Sequence, residues 1–177
     1  CPIFNADIEV NKIYKKNKIC YKKLKRKLTK YIKSFPINKA ELTNAILADK
    51  SNLKKIVSVV HPIVKKQMNI FLKKNIKKKL VILDIPLLIE NNLNKEKYIL
   101  VFIESKKKQV DLHLKKRKNY NKKIVESFRK LQSKLSYKKK LSNYIIKNDF
   151  KLSTIKKRVK FVKKSILYER NSPWYRN

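Results

Sequence analysis

The stretch KLVILDIPLLIE, residues 79–90, stands out in a chain broken almost everywhere by lysine. From Leu80 to Ile89 it carries one charge, Asp84. A short, continuous, β-branched apolar run is the pattern of a strand covered on both faces, and such strands belong to parallel sheets. KYILVFIE (97–104) and NYIIKN (143–148) repeat the pattern, and PIFNAD (2–7) reads as a shorter strand running into a polar turn. Residues 18–75 contain no strand pattern. Strands therefore alternate with helices, which predicts an α/β fold of three layers around a parallel sheet, with a helical insertion.

Apolar spacing places the helices. Asp7 is expected to cap a helix over 8–16. Tyr21, Leu24, Leu28, Tyr31 and Ile32 define a second helix, over 21–32, which breaks at Pro36. A short helix follows over 39–48. Another begins near Ser51-Asn52, and Pro62 is expected to end or kink it before helix resumes toward residue 75. Residues 105–119 form a helix, and 121–142 one or two more, with Ile124, Phe128, Leu131 and Leu135 as the apolar stripe. Ser153 is expected to cap a terminal helix over 153–167. The tail 169–177 reads as loosely ordered, with a frayed end favoured over docking by Trp174. The chain is expected to be one domain. Its core is 1–17, 77–104 and 143–168, its helical insertion 18–76, its lid helices 105–142.

The formal charge is +37, from 49 basic and 12 acidic residues. Clustered basic charge binds nucleic acid. Here 43 of the 49 are lysine and only six arginine, spread along the whole chain. That is an AT-rich codon skew rather than dedicated phosphate recognition, which favours the arginine fork. A nucleic-acid-binding protein is therefore the alternative reading rather than the main one. Two cysteines make no disulfide framework or metal pattern. No run is apolar and long enough to span a membrane, nothing implies an obligate protein partner, and the chain suits a reducing cytoplasm. Glycine is absent, where roughly 12 would be usual. No glycine-rich phosphate loop therefore exists in these residues.

In a parallel sheet, ligands bind beyond the carboxyl ends of the strands. Those ends carry Asp7, then Asp84 with Pro86 to Glu90, then Glu104, then Asn148. So few acids concentrated at one edge mark it as the candidate site. Arg117 and Arg129 lie in the helices after the third of these strands, where a basic lid would clamp phosphate oxygens.

PIFNAD, VHPIV, LDIPLLIEN, the KKR of the lid, FRKLQ and YIIKN follow the order and spacing of the dephospho-CoA kinase family, which are P-loop kinases. The chain resembles that family from residue 2 to about 165. The resemblance implies transfer of the ATP γ-phosphate to the ribose 3′-hydroxyl of dephospho-CoA, with Mg2+ accompanying ATP. It implies that Asp7 orients or deprotonates the attacking hydroxyl. His61, Pro86, Leu87, Leu88 and Glu90 would belong to the acceptor pocket, the leucines as apolar wall and Glu90 as polar anchor. Asp84 would lie near magnesium, Arg117 and Arg129 on the ATP side of the lid, and Asn148 near adenine.

Three departures stand against the pattern. The Gly-rich loop is missing with the strand and helix that frame it, His113 replaces an expected lid arginine, and Asp149 replaces a glycine. The chain opens at Cys1 as though inside a domain. The expectation is a truncated kinase lacking its first central strand and phosphate loop, about one β-loop-α unit, and inactive as it stands.

Overall fold

The computed structural model describes residues 1–90 and 98–171. It divides into two compact units, Cys1–Pro86 and Leu87–Asn177. The tail beyond Asn171, Trp174 included, lies outside the described residues.

In the first unit, β1 (Ile3–Asn5) runs directly into α1 (Ala6–Lys16), followed by α2 (Lys18–Lys27), α3 (Lys39–Ala48), α4 (Ser51–Lys74) and β2 (Ile82–Asp84). β1 and β2 pair in parallel, Ile3 opposite Ile82 and Asn5 opposite Asp84. The helical insertion expected between residues 18 and 76 is present as α2 to α4. Helices α1, α2 and α3 all pack on α4. Its apolar residues Leu53, Ile56, Val60, Val64 and Met68 recur every three or four positions and are all buried. Leu24, Cys20 and Ile32 are completely buried alongside. The Phe4 ring lies 5.5 Å from that of Phe71, joining β1 to the end of α4. Asn52, a buried polar residue, fixes the corner between α3 and α4: its Nδ2 donates to the Ala45 carbonyl at 3.0 Å and its Oδ1 accepts from Lys55.

Several local expectations are corrected. Asp7 is not the cap of α1. The helix begins at Ala6, and Asn5 Oδ1 accepts from the Ile8 amide at 2.9 Å. Asn5-Ala6-Asp7 offers two capping side chains, and the earlier one lies three residues before a free amide. α2 stops at Lys27 rather than running through residue 32. Tyr31 and Ile32 return in a turn whose amides both bond the Leu28 carbonyl. Glu41 holds the next turn by accepting from the amides of Lys33 and Ser34. Pro62 does not end α4: the helix runs through it to Lys74, so the helix expected toward residue 75 is present. A proline forfeits one intrahelical bond, and the packing of α1 to α3 along this helix outweighs that loss.

The second unit holds β3 (Val101–Glu104), α5 (Lys107–Lys115), α6 (Lys122–Leu131), α7 (Leu135–Leu141), β4 (Tyr144–Lys147) and α8 (Leu152–Asn171). β3 and β4 pair in parallel, Val101 opposite Tyr144 and Glu104 opposite Lys147, and α8 packs on β4. Ser153 lies inside α8 rather than at its cap. The first turn closes instead on Lys151, whose carbonyl accepts from the Ile155 amide at 3.0 Å.

The parallel pairing inferred from the apolar runs is right, but burial on both faces is not. Ile82, Val101, Ile103 and Ile145 all remain substantially exposed. Each sheet has two strands among the described residues, and face coverage depends on the elements packed on it, of which α8 on β4 is one. Phe128 and Leu135 of the expected lid stripe are likewise exposed. The buried apolar residues of this unit are Ile146, Val162 and Ile166, against a far longer set in the first.

The difference in cores sets the expected stability. Leu24→Ala removes a fully buried side chain from the α2–α4 contact and is expected to cost about 2–5 kcal/mol. Ile76→Ser, at a position 80% exposed, is expected to stay within about 0.5 kcal/mol. Urea denaturation followed by far-UV circular dichroism reads both.

Candidate active site

Strand pairing positions the predicted residues of the first unit. Because Asn5 and Asp84 occupy the same rung of the parallel β1–β2 pair, their side chains emerge side by side at the carboxyl edge. Asn5 Nδ2 donates to Asp84 Oδ2 at 2.7 Å. Its other atom, Oδ1, caps α1. One side-chain amide therefore fixes the strand end, the helix start and Asp84. Asp7 follows in the first turn of α1, exposed, where the amino-terminal end of the helix dipole favours its negative charge. Asn5 was missed in the sequence reading, although it was visible as a capping residue type ahead of the first helical repeat.

Basic neighbours neutralise several of the carboxylates: Glu9 pairs with Lys12, Glu90 with Lys138, Glu104 with Lys139, Asp111 with Arg129, and Asp149 with Arg158. Among the described residues, Asp7, Glu41, Asp49, Asp84 and Glu126 enter no ion pair, and of these Asp7 and Asp84 lie at the carboxyl edge of β1 and β2. Asp84 is held by a neutral amide, which positions it without cancelling its charge. A carboxylate positioned in this way could serve as a protein oxygen donor to Mg2+, which takes one or two carboxylates and completes its shell with phosphate and water. No cluster of three or more metal-binding side chains occurs among the described residues.

His61 lies half-buried inside α4, directly before Pro62. Pro86 closes the first unit, so Asp7, His61, Asp84 and Pro86 belong to it and the remaining predicted residues to the second.

In the second unit, Leu87 has φ of 57°, a left-handed conformation that costs a residue with a Cβ about 1–2 kcal/mol. Leu88 lies half-buried in the same turn. Glu90, read as a polar anchor for substrate, is engaged by the protein itself. Its Oε1 accepts from Lys138 Nζ and from the Ser133 amide, both at 2.7 Å. Only 11% of the Glu90 side chain and 16% of the Lys138 side chain remain exposed. Burial pushes the Glu90 carboxyl up, but the Lys138 ammonium and the Ser133 amide together outweigh it and hold it below its ordinary 4.5. The pair ties the Pro-Leu-Leu-x-Glu turn to α7. Lys138 carried no sequence signal among so many lysines.

The two lid arginines differ. Arg129 of α6 is bound to Asp111 of α5, whose carboxyl the guanidinium holds below its ordinary value. The two line a cavity of about 230 Å³ with Lys115, Tyr120 and Lys122. Arg117 follows the end of α5 in a turn in which its amide donates to Leu114 and its carbonyl accepts from Tyr120. Its guanidinium makes no ion pair among the described residues. Asn148, just past β4, donates its amide to the Glu104 carbonyl at 2.7 Å, and its Oδ1 accepts from the Phe150 amide.

The dephospho-CoA kinase family model matches residues 1–154. The chain belongs to the dephospho-CoA kinase family. A dephospho-CoA kinase of Wolbachia pipientis wMel is 27% identical over 146 residues, which are 81% of this chain and 74% of that protein. One from Jannaschia sp. (strain CCS1) is 36% identical over 89 residues, half of this chain and 46% of its own. Among solved structures, TT1252 from Thermus thermophilus superposes with a TM-score of 0.71 at 20% identity, covering 93% of this chain and 84% of that one. The fold is therefore the α/β parallel-sheet fold of the P-loop kinases. No helix among the described residues is long and apolar enough to cross a membrane.

The Glu90–Lys138 pair gives a pH-dependent prediction. A carboxyl lowered on folding contributes stability that is present above its unfolded value and lost as pH falls through its folded value. Wild type is therefore expected to lose stability below about pH 4.5 more steeply than Glu90→Gln. Lys138→Met leaves the carboxylate shielded and unpaired, and is expected to cost on the order of 2–3 kcal/mol at pH 7, somewhat under the cost for a fully buried pair. Urea midpoints measured from pH 3 to 7 check both.

Proposed function

We propose that this protein works as a dephospho-CoA kinase, transferring the γ-phosphate of ATP to the ribose 3′-hydroxyl of dephospho-CoA. The observation that carries the reading is the un-neutralised pair Asp7 and Asp84 at the carboxyl edge of β1 and β2, in a chain whose residues 1–154 match that family. In-line transfer needs a carboxylate at the attacking oxygen and cations on the departing charge.

Asp7 accepts the hydroxyl proton as the oxygen attacks the γ-phosphorus. Mg2+ arriving with ATP would neutralise charge on the β- and γ-oxygens, with Asp84 as its protein oxygen donor. Arg117, whose guanidinium is uncommitted, is the lid cation for the phosphates. Arg129 supports it by clamping α6 to α5 through Asp111. His61, Pro86, Leu87 and Leu88 form the acceptor side. Glu90 acts there indirectly, by holding the Leu87-Leu88 turn against Lys138.

Backbone amides of a glycine-rich loop and its lysine normally cradle the β- and γ-phosphates. These 177 residues contain no glycine, so they do not supply that cradle. The chain by itself is accordingly expected to bind dephospho-CoA without converting it.

The test has two arms. Calorimetry is expected to show dephospho-CoA binding to the chain. The chain preceded by a designed strand, Gly-x-x-x-x-Gly-Lys-Thr loop and helix is expected to convert dephospho-CoA to CoA with Mg·ATP, followed by mass spectrometry. In that protein Asp7→Asn is expected to lower kcat by about 100-fold or more, and Arg117→Ala to reduce kcat/KM far more than Arg129→Lys. Absence of both dephospho-CoA binding and turnover would sink the reading.

A further inference from the structure

The outward face of α8 carries a pattern that the catalytic reading leaves unused. Within the second unit this helix packs on β4, with Val162 and Ile166 buried beneath it. A helix docked by one apolar stripe normally turns a polar face to water. Here the outer face holds Phe161, 70% exposed, and Tyr168, 80% exposed, the two most exposed aromatic side chains among the described residues. Residues seven apart lie two turns along the same side of a helix, about 10 Å from each other. Lys157 and Lys164 fall on that side too. The row reads Lys157, Phe161, Lys164, Tyr168, at steps of four, three and four, with Lys160 flanking it. These three lysines are exposed and enter no ion pair among the described residues.

Rings that alternate with free ammonium groups fit a partner that is anionic and also able to bury a ring. Single-stranded nucleic acid and a charged lipid surface both have those properties. Two observations favour lipid. The row sits on the convex, outward side of one helix, whereas single strands are held in grooves that track the backbone. Its cations are lysines, while Arg158 of the same helix is engaged by the Lys147 carbonyl and Asp149. The guanidinium fork matches an individual phosphate, but a point charge on a flexible stem suits the diffuse charge of a headgroup layer. A lysine stem can also lie along the apolar boundary while its ammonium stays among the headgroups.

We propose that the Lys157–Tyr168 face of α8 docks this protein on an anionic lipid surface. Phe161 and Tyr168 enter the boundary between headgroups and acyl chains, and Lys157, Lys160 and Lys164 meet lipid phosphates. The helix lies in the plane of the surface and does not cross it. A net charge of +37 draws every side of the chain toward such a surface. Salt screens that attraction, but it does not screen the burial of a ring, so the rings decide which face stays bound.

The test is flotation of the whole chain with vesicles of phosphatidylcholine, alone or mixed with phosphatidylglycerol. Binding is expected to the mixed vesicles, and its absence overturns the proposal. Phe161→Ser combined with Tyr168→Ser is expected to lower that partition about tenfold or more, and Ile19→Ser to leave it within about twofold. Ile19 is the matched control, an apolar side chain 64% exposed on the lysine-rich helix α2. Equal loss in the two proteins, or no loss in the double variant, overturns the docking face. Loss of oligouridylate binding in the double variant with vesicle partition intact overturns lipid in favour of nucleic acid. Trp174 is the only tryptophan of the chain, so Phe161→Trp with Trp174→Phe places the sole indole at position 161. Brominated acyl chains are expected to quench it in the vesicle-bound protein. An unquenched indole overturns the proposal, and this measurement decides should the double serine variant fail to fold. None of these outcomes depends on phosphoryl transfer, so the kinase reading stands or falls separately.

Discussion

The side-chain amide of Asn5 holds the carboxyl edge of β1 and β2 together. A strand of three residues gives little purchase by itself, and β1 must turn into α1 without a loop between them. Asn5 makes that possible by using both ends of its amide. The oxygen ends the strand by capping the helix, and the nitrogen crosses the rung to Asp84. An aspartate at this position could cap the helix equally well. It would then place a second negative charge against Asp84 and have no donor to offer it. A serine could cap but would not span the rung with a separate donor. The requirement for one donor and one acceptor, fixed in opposite directions, selects asparagine. It also sets the acid of β2 and the start of α1, and hence Asp7, in one frame.

A chain without glycine has to make its left-handed turns with side chains present. Among the described residues it does so twice, at Leu87 and Phe150. Neither lies in a plain surface connection. Leu87 sits in the Pro-Leu-Leu-x-Glu turn after β2, and Phe150 in the loop after β4. A left-handed residue with a Cβ costs about 1–3 kcal/mol, and each is supported by nearby contacts that resist relaxation. For Leu87 the support is Glu90, gripped by Lys138 and the Ser133 amide. For Phe150 it is the asparagine bond to its own amide and the stack with His113. Where glycine would have left a bare backbone at the strand ends, this chain carries two large apolar side chains. That changes what these turns can contact.

How much was legible in the sequence follows from the range of each signal. Helices α1 to α4 and the parallel pairing were readable because apolar periodicity is local and strong, and α3 was placed to the residue. The cap of α1 was misassigned because capping depends on where the first turn closes, and Asn5 and Asp7 both have a suitable side chain. Burial was overestimated for β2 and β3. An apolar run states what a strand can tolerate, whereas its exposure depends on which elements pack on it. Of the site, the acids at the strand ends were legible as residue types. Their distinction was not. Whether Asp84 meets Asn5 or one of 43 lysines depends on register between positions 79 apart in sequence, and composition carries no trace of that.

The charge balance gains meaning from this distinction. A net charge of +37 surrounds every carboxylate with potential partners. Glu90, Glu104, Asp111 and Asp149 each take a lysine or arginine within the second unit, whereas Asp7, Glu41, Asp49, Asp84 and Glu126 enter no ion pair among the described residues. For the two at the carboxyl edge of β1 and β2, local geometry holds the carboxylate without a cation. At Asp84 the geometry is the neutral amide of Asn5, which occupies one carboxylate oxygen without supplying charge. At Asp7 it is the first turn of α1, where the helix itself stabilises the anion. The same argument separates the arginines. Arg129 and Arg158 are bound to acids and serve the fold, while Arg117 keeps its charge available. In a phosphoryl-transfer protein, residues that retain charge against a strong tendency to lose it are the ones available to a polyanionic ligand and the cation it carries. The excess of lysine gives a general attraction for phosphate. Specific chemistry falls to the few groups that the fold holds apart from it.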